Sequence, residues 1–236
     1  EKKPRLWQAQ FCEVTDNICF LNGKSRHGRD KNCSPQTLDQ QAPSLTPLYY
    51  THILPLTSYL EKIMGLLDSK VAIVTGGALG IGNACSLEFA REGARVVVAD
   101  LACEAGEQTV DEIKRLGGQG IMVEADVSIG SQCQKVVSEA VRCFGSVDIL
   151  HNNVGIQPPS SYTNVEDTSE DMWNRIIDVN LKSHFLMSKY CIPEMRKRGG
   201  GVIISTASVQ GLQSAPLVPP YAASKGGILS LVRQMA

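Results

Sequence analysis

Two residues near the end of the printed sequence are of the types needed for proton transfer at an alcohol or a carbonyl. Tyr221 and Lys225, in the stretch YAASK, are four residues apart, so on a helix their side chains emerge on one face. A lysine ammonium beside a phenol stabilises the phenolate, which makes the tyrosine a usable base in neutral water. The spacing therefore predicts general acid–base chemistry, although each residue alone is typical of an ordinary helix surface.

A serine upstream fits the same chemistry. Ser208 stands thirteen residues before Tyr221, at the C-terminal end of the stretch GGVIISTAS, which predicts a strand. Strand ends are where parallel sheets carry their reactive groups, and a hydroxyl there can polarise a substrate carbonyl or alcohol. The Lys225 ammonium can also hold the ribose hydroxyls of a nicotinamide nucleotide.

A glycine-rich turn predicts where that nucleotide binds. TGGALGIG runs from Thr75 to Gly82, directly after an apolar run and into a helical pattern. Gly76, Gly80 and Gly82 allow a sharp turn, close approach of backbone N–H groups to a pyrophosphate, and close packing of the helix on the strand. We expect this loop, Ile81 included, to contact the cofactor. Out of context, such a repeat is equally typical of a plain turn.

A carboxylate predicts which dinucleotide is bound. Asp100 closes the second apolar run about twenty residues after the loop, where it can accept hydrogen bonds from the adenosine ribose hydroxyls. A 2′-phosphate would meet like charge there, and neither Ala78 nor Leu79 supplies a cation, so NAD is the expected cofactor. Asp126 and Val127, after the third run, are expected near the adenine, although an aspartate there is also typical of a turn.

The order of apolar and amphipathic stretches predicts the scaffold. From Lys70 onward, apolar runs bounded by glycine alternate with stretches of helical length. A helical pattern from about Ser169 to Arg198 changes character near Asn180. Parallel strands joined by such helices wind into an open, doubly wound α/β sheet, a three-layer Rossmann fold. Five strands are expected, in KVAIVTG, ARVVVAD, GIMVEADV, VDILHNNVG and GGVIISTAS.

The sequence divides into two unequal parts. Residues 1–63 show no sustained helical or strand periodicity and are rich in Gly, Pro, Ser, Asn and Gln, which predicts an irregular, disordered extension. Residues 64–236 are expected to form the dinucleotide-binding and catalytic domain.

Composition disfavours several other functions. The formal charge of −1 offers no field for nucleic acid or an anionic membrane, and no apolar run of membrane-spanning length occurs. Eight cysteines without a C-x-x-C pair are typical of reduced thiols in a cytoplasmic protein. The N-terminal cysteines and His27 match no ordinary zinc spacing, so no metal site is expected.

These motifs together resemble the short-chain dehydrogenase/reductase family, from about Met64 to the end. The motifs that match are TGGALGIG, Asp100, DV at Asp126 and Val127, NNVG at Asn152 to Gly155, DVN ending in Asn180, Ser208 and YAASK. The resemblance implies a catalytic tetrad of Asn180, Ser208, Tyr221 and Lys225, in which the asparagine holds a water of a proton relay. It implies also that Asn152 and Gly155 line the cofactor and that Asn153 braces the sheet. Val154 replaces the usual alanine, a change that keeps the position apolar.

The resemblance implies an NAD-linked oxidoreductase that moves hydride to or from the carbinol carbon of a small-molecule secondary alcohol or ketone. Which alcohol or ketone is left open, and so is the choice between homodimer and homotetramer. Family members continue beyond the helix of Tyr221 and Lys225 with further strands and a substrate lid, so we expect a chain truncated at its C-terminus. The alternative is a non-catalytic dinucleotide-binding remnant or scaffold.

Overall fold

Parallel strands and connecting helices alternate along the chain. The computed structural model describes residues 65–236 and the backbone of residues 10–12. The strands are β1 (Gln10–Cys12), β2 (Val71–Thr75), β3 (Arg95–Asp100), β4 (Gln119–Glu124), β5 (Ile149–Asn152) and β6 (Val202–Thr206). The helices are α1 (Gly80–Arg91), α2 (Cys103–Arg115), α3 (Gly130–Phe144), α4 (Glu170–Ile177), α5 (Ser183–Lys197) and α6 (Pro219–Met235).

The strands form one sheet in the order β1-β6-β5-β2-β3-β4, and every pairing is parallel. From β2 the chain steps outward through β3 to β4, then returns to β5 on the other side of β2. The direction of winding therefore reverses between β2 and β5, and a crevice opens there at the carboxyl ends of the strands. The predicted doubly wound α/β fold, with its five strands between residues 71 and 206, is confirmed.

Both faces of the sheet are covered, which explains why its central strands are continuous apolar runs. In β2, Val71 and Ile73 face α3 and α5, while Ala72 and Val74 face α1 and α2. All four side chains are fully buried. The alternation places helices on both sides of the sheet, so the site at its carboxyl edge rests on a rigid layer.

The long helical pattern is interrupted where the sequence indicated. Helix α4 ends at Ile177, a π-helical turn occupies Asp178–Lys182, and α5 follows directly. The Ser169 hydroxyl caps the start of α4 by accepting a hydrogen bond from the amide of Met172 at 3.2 Å. A π-helical turn inserts an extra residue, and here it turns the Asn180 side chain into the protein interior.

The short strand β1 was not expected. It pairs with β6 from Gln10 opposite Ile204 to Cys12 opposite Thr206, on the side of β6 away from β5. Three residues are too few to show a period of two, and an open sheet edge accepts any extended segment that satisfies its backbone groups. The other residues of the predicted 1–63 extension lie outside the described part of the chain, as do the side chains of its cysteines and histidine.

We expect Leu150→Ala to lower the free energy of unfolding by about 3 kcal/mol, because it leaves a cavity in a core that cannot collapse around it. Leu150 lies on β5 and is fully buried between the sheet and its helices. Denaturant unfolding followed by circular dichroism measures the change. Leu66→Ala is the matched control, since that leucine is 84% exposed, and its free energy should stay within about 0.5 kcal/mol of the wild type. Equal effects of the two substitutions would contradict the packing described for β5.

Candidate active site

The glycine-rich turn between β2 and α1 has the backbone conformation that a bound pyrophosphate needs. Gly76 and Gly80 adopt left-handed backbone with φ of +64° and +55°, which favours glycine. A Cβ atom at Gly82 would collide with the carbonyl oxygen of Gly76, so α1 approaches the loop closely only because this residue lacks a side chain. No side chain caps the start of α1, and its first amides remain available to an anionic ligand. The loop therefore fits a dinucleotide.

Asp100 is held rigidly at the end of β3. Its Oδ2 atom accepts a hydrogen bond from the amide of Ala78 in the glycine-rich turn, and its Oδ1 atom accepts one from the amide of Ala102, each at 3.0 Å. Each oxygen keeps a second lone pair, and the carboxylate lines a groove of about 550 Å³. The groove thus presents a fixed pair of acceptors at one end.

Asp126 and Val127 line the same groove beyond β4. The Asp126 Oδ1 atom accepts hydrogen bonds from the amide and the hydroxyl of Ser128, at 2.9 and 2.6 Å. One carboxylate oxygen is therefore committed to the turn, and the other remains for a ligand. Two exposed leucines, Leu79 of the glycine-rich turn and Leu101, also line the groove. Leu101 was not singled out in the sequence, where the available signal was a large apolar residue directly after Asp100.

A hydrogen-bonded lattice ties the carboxyl ends of β2, β5 and β6 together. The hydroxyl of Thr75 accepts from the amide of Asn153 at 3.0 Å, and the Asn153 side chain donates to the carbonyls of Thr75 and Gly76. On the other side, the Thr206 hydroxyl donates to Asn153 Oδ1 at 3.2 Å. Asn153 therefore braces three strands, which is the part that the resemblance implied.

Two residues expected to bind the cofactor point elsewhere. The Thr75 hydroxyl is buried beneath the loop and bonded to β5, and the Asn152 side chain faces α5, where it donates to Ser188 at 3.3 Å. Because adjacent strand residues face opposite sides, Asn152 turns away when Asn153 joins the lattice. Both residues support the groove from behind, whereas Gly155 lines it.

Lys225 is the buried cation at the centre of the site. Its side chain on α6 is only 3% exposed, and its Nζ atom donates to the carbonyl oxygen of Thr206 at 2.7 Å. Burial removes water from the ammonium and lowers its pKa from the usual 10.5 to about 8. Two of its three N–H groups remain for a ligand, and the lysine lines a cavity of about 370 Å³.

Tyr221 and Ser208 line that cavity with Lys225, as do Gly155 and Ile81. The Lys225 Nζ atom lies 5.7 Å from the centre of the Tyr221 ring, so the two side chains share one face of α6. The Ser208 oxygen accepts a hydrogen bond from the amide of Gln210 at 3.2 Å, which leaves its proton free to be donated. The cavity shares Asn153, Gly155 and Ile156 with the larger groove, so the two lie side by side.

Asn180 lies behind this cavity and is fully buried. Its side chain bonds both backbone groups of Ile156: Oδ1 accepts from the amide at 2.7 Å, and Nδ2 donates to the carbonyl at 2.9 Å. Nδ2 also lies 3.3 Å from the Ser224 hydroxyl. These contacts of the Asn180 side chain fix the segment after Gly155 against α6. Sequence spacing did not reveal this positioning role.

Two buried histidines flank the site and were not singled out in the sequence. Burial lowers the pKa of His151 to about 4, and burial together with the charge of Lys225 lowers the pKa of His184 to about 3. Both imidazoles are therefore neutral at pH 7. His151 Nε2 lies 3.1 Å from the Thr206 hydroxyl, which joins it to the lattice.

Two further properties of the described residues concern membranes and metals. In that part of the chain no helix has both the length and the apolar character required to cross a bilayer. Among the same residues, no three His, Cys, Asp or Glu side chains are grouped so as to hold a metal ion.

The burial of Lys225 makes a prediction about pH. Its pKa is lower in the folded state than in the unfolded state, so between pH 8 and 10.5 the unfolded state binds more protons and stability rises with pH. As the pH rises from 8 to 10.5, we expect the wild type to gain about 3 kcal/mol of unfolding free energy relative to Lys225→Met. Urea unfolding at a series of pH values measures it.

Lys114→Met is the matched control, because the Lys114 side chain is 58% exposed. Its difference from the wild type should stay flat over the same pH range. A flat difference for Lys225→Met as well would show that the ammonium is solvated in the folded protein.

Comparison with known proteins agrees with this geometry. Residues 70–236 match the short chain dehydrogenase family. An uncharacterised oxidoreductase of Thermotoga maritima is 40% identical over 169 residues, and the aligned part spans 72% of this chain but only 65% of that protein. Cyclohexanol dehydrogenase of an Acinetobacter species is 37% identical over 178 residues, 75% of this chain and 70% of that protein. The crystal structure of levodione reductase superposes with a TM-score of 0.68 at 28% identity, covering 71% of this chain and 65% of that one. The chain belongs to the short-chain dehydrogenase family.

Proposed function

We propose that this protein is an NAD(H)-dependent oxidoreductase that interconverts a secondary alcohol and its ketone, with Tyr221 as general acid and base. The observation that carries the proposal is that two spaces adjoin. The cavity lined by Ser208, Tyr221 and Lys225 shares a wall with the groove lined by Gly76, Leu79 and Asp100. A dinucleotide lying along the groove brings its reactive end to the cavity.

The residues of the groove would hold the cofactor. The glycine-rich turn, Gly76 to Gly82, receives the pyrophosphate, and Asp100 accepts the adenosine ribose hydroxyls. Asp126 and Val127 lie beside the adenine, and Gly155 and Lys225 lie toward the nicotinamide end. Bound NAD(H) supplies the hydride acceptor or donor at nicotinamide C4.

The side chains of the cavity would move and guide the proton. Tyr221 takes the hydroxyl proton of an alcohol, or returns it to a ketone oxygen, and the neighbouring Lys225 ammonium stabilises the phenolate. Ser208 donates its free proton to the same substrate oxygen and polarises it. Asn180 holds Ile156 and thereby the wall of the cavity.

The substrate class follows from the reactive groups and from relatives. Phenol and hydroxyl donors that converge on one oxygen suit a carbonyl or a carbinol. A relative is named for cyclohexanol, a secondary alcohol on a ring, and we extend that class to this protein. We further propose that residues 64–236 form the catalytic domain, that the complete protein is a homodimer or homotetramer, and that it is cytoplasmic.

The proposed role of Asp100 in selecting NAD(H) is tested by measuring the cofactor preference. We expect the full-length protein to bind NADH at least tenfold more tightly than NADPH, because a 2′-phosphate would face the Asp100 carboxylate. Asp100→Asn removes that charge and should reduce the ratio about tenfold. Titration of the nucleotide fluorescence measures both dissociation constants. Glu104→Gln, on the exposed start of α2, is the control and should leave the ratio unchanged. Tighter binding of NADPH by the wild type would contradict the assignment.

Turnover tests Tyr221. We expect Tyr221→Phe to lower kcat at least a thousandfold, with the dissociation constant of NADH changed less than threefold, because only the transferable proton is lost. A panel of cyclic and open-chain secondary alcohols with NAD, followed at the NADH absorbance, measures activity.

Tyr190→Phe is the matched control, since that tyrosine lies on α5 among residues packed against the core, and its kcat should match the wild type. Substantial activity in Tyr221→Phe would refute the proton-transfer role. Binding of NADH by the wild type without turnover of any alcohol or ketone would favour a dinucleotide-binding protein without catalysis.

A further inference from the structure

Both backbone polar groups of Ala78, its amide and its carbonyl, are held by hydrogen bonds. Its amide donates to Asp100 Oδ2 at 3.0 Å, and its carbonyl oxygen accepts from the hydroxyl of Thr109 at 3.2 Å. Ala78 is 3% exposed, so neither group can exchange its partner for bulk water. The conformation of the glycine-rich turn is therefore tied to the carboxylate on one side and to α2 on the other.

Thr109 is held in place by its own surroundings. It is 2% exposed, its hydroxyl accepts from Asn83 Nδ2 at 2.8 Å, and its proton faces the carbonyl oxygens of Ala78 and Ala105. A hydroxyl has one proton, and the acceptor position filled by Asn83 directs that proton toward the two carbonyls. Asn83 on α1 and Thr109 on α2 thus form a bridge, which we call the Ala78 clamp.

The clamp controls where Asp100 points. Without the Thr109 hydroxyl, the carbonyl of Ala78 becomes a buried acceptor without a partner, and the backbone must shift to find one. That shift moves the Ala78 amide, which is one of the two donors that orient the carboxylate. The ribose acceptors in the groove then lose their fixed geometry.

We propose that Thr109 and Asn83 are positioning residues that fix Asp100 for recognition of the adenosine ribose, and so set the preference for NADH over NADPH. This inference rests on the proposed NAD(H) dependence. Neither residue lines the groove that holds Asp100; both line a cleft between α1 and α2 that adjoins the groove at Leu79. They act through Ala78.

The test compares Thr109→Val, which removes the hydroxyl at nearly constant volume, with Thr109→Ser, which keeps it. Nucleotide fluorescence titration of the full-length protein gives the dissociation constants of NADH and NADPH for each. In Thr109→Val we expect the NADH constant to rise about tenfold and the NADPH constant less than threefold, because NADPH gains little from Asp100 in the wild type. Thr109→Ser should restore the wild-type ratio.

Asn83→Ala should shift the ratio of the two dissociation constants in the same direction by a smaller factor. Asn83 is only half-buried, so this variant tests the clamp if Thr109→Val does not fold. Thr168→Val is the matched control. The Thr168 hydroxyl likewise donates to the carbonyl four residues earlier, that of Asn164, at 2.7 Å. Thr168 does not line the groove that holds Asp100. Its ratio should equal that of the wild type.

Three outcomes would overturn the inference. An equal rise of both constants in Thr109→Val would show general damage to the site, and an unchanged ratio would show that Asp100 needs no clamp. Failure of Thr109→Ser to restore the ratio would assign the effect to packing. A wild type that binds no NADH refutes the proposed function itself, whereas a wild type that prefers NADH together with an unaffected Thr109→Val refutes the clamp alone.

Discussion

The site depends on keeping one ammonium group out of water. Among the residues that the structure describes, Lys225 is the buried lysine, and the carbonyl of Thr206 is the acceptor that compensates its ammonium. A buried charge without a partner is costly, so α6 must dock where the end of β6 presents that carbonyl. Tyr221, one turn earlier on α6, then necessarily faces the same cavity.

The lattice of Thr75, Asn153 and Thr206 extends this constraint across the sheet. It links the glycine-rich turn after β2 to the end of β6 through hydrogen bonds of 3.0 to 3.3 Å. The groove lined by Asp100 and the cavity lined by Tyr221 and Lys225 therefore share one rigid floor. Relative motion of the two would break several buried hydrogen bonds at once.

Spacing along the chain was enough to predict the placement of residues that depends on a single helix or turn. The turn of Gly76 to Gly82, the common face of Tyr221 and Lys225, and the break near Asn180 all follow from local periodicity. Side-chain direction across elements did not follow. Nothing in NNVG tells which asparagine faces Thr75, and the contact of Thr109 with Ala78 requires the packing of α2 on the loop. Strand β1 was not predicted because three residues are too few to show the two-residue periodicity of a strand.

The neutral histidines show how the same burial shapes the electrostatics of the site. A protonated His184 would add a second positive charge near Lys225 and would oppose the ammonium there. Burial keeps His151 and His184 uncharged at pH 7, since it lowers the pKa of the first to about 4 and of the second to about 3. Of these three side chains only Lys225 then carries a charge, and its Nζ atom lies 5.7 Å from the centre of the Tyr221 ring. Burial is costly for the Lys225 ammonium. The same burial keeps both imidazoles neutral, so neither one repels the ammonium at pH 7.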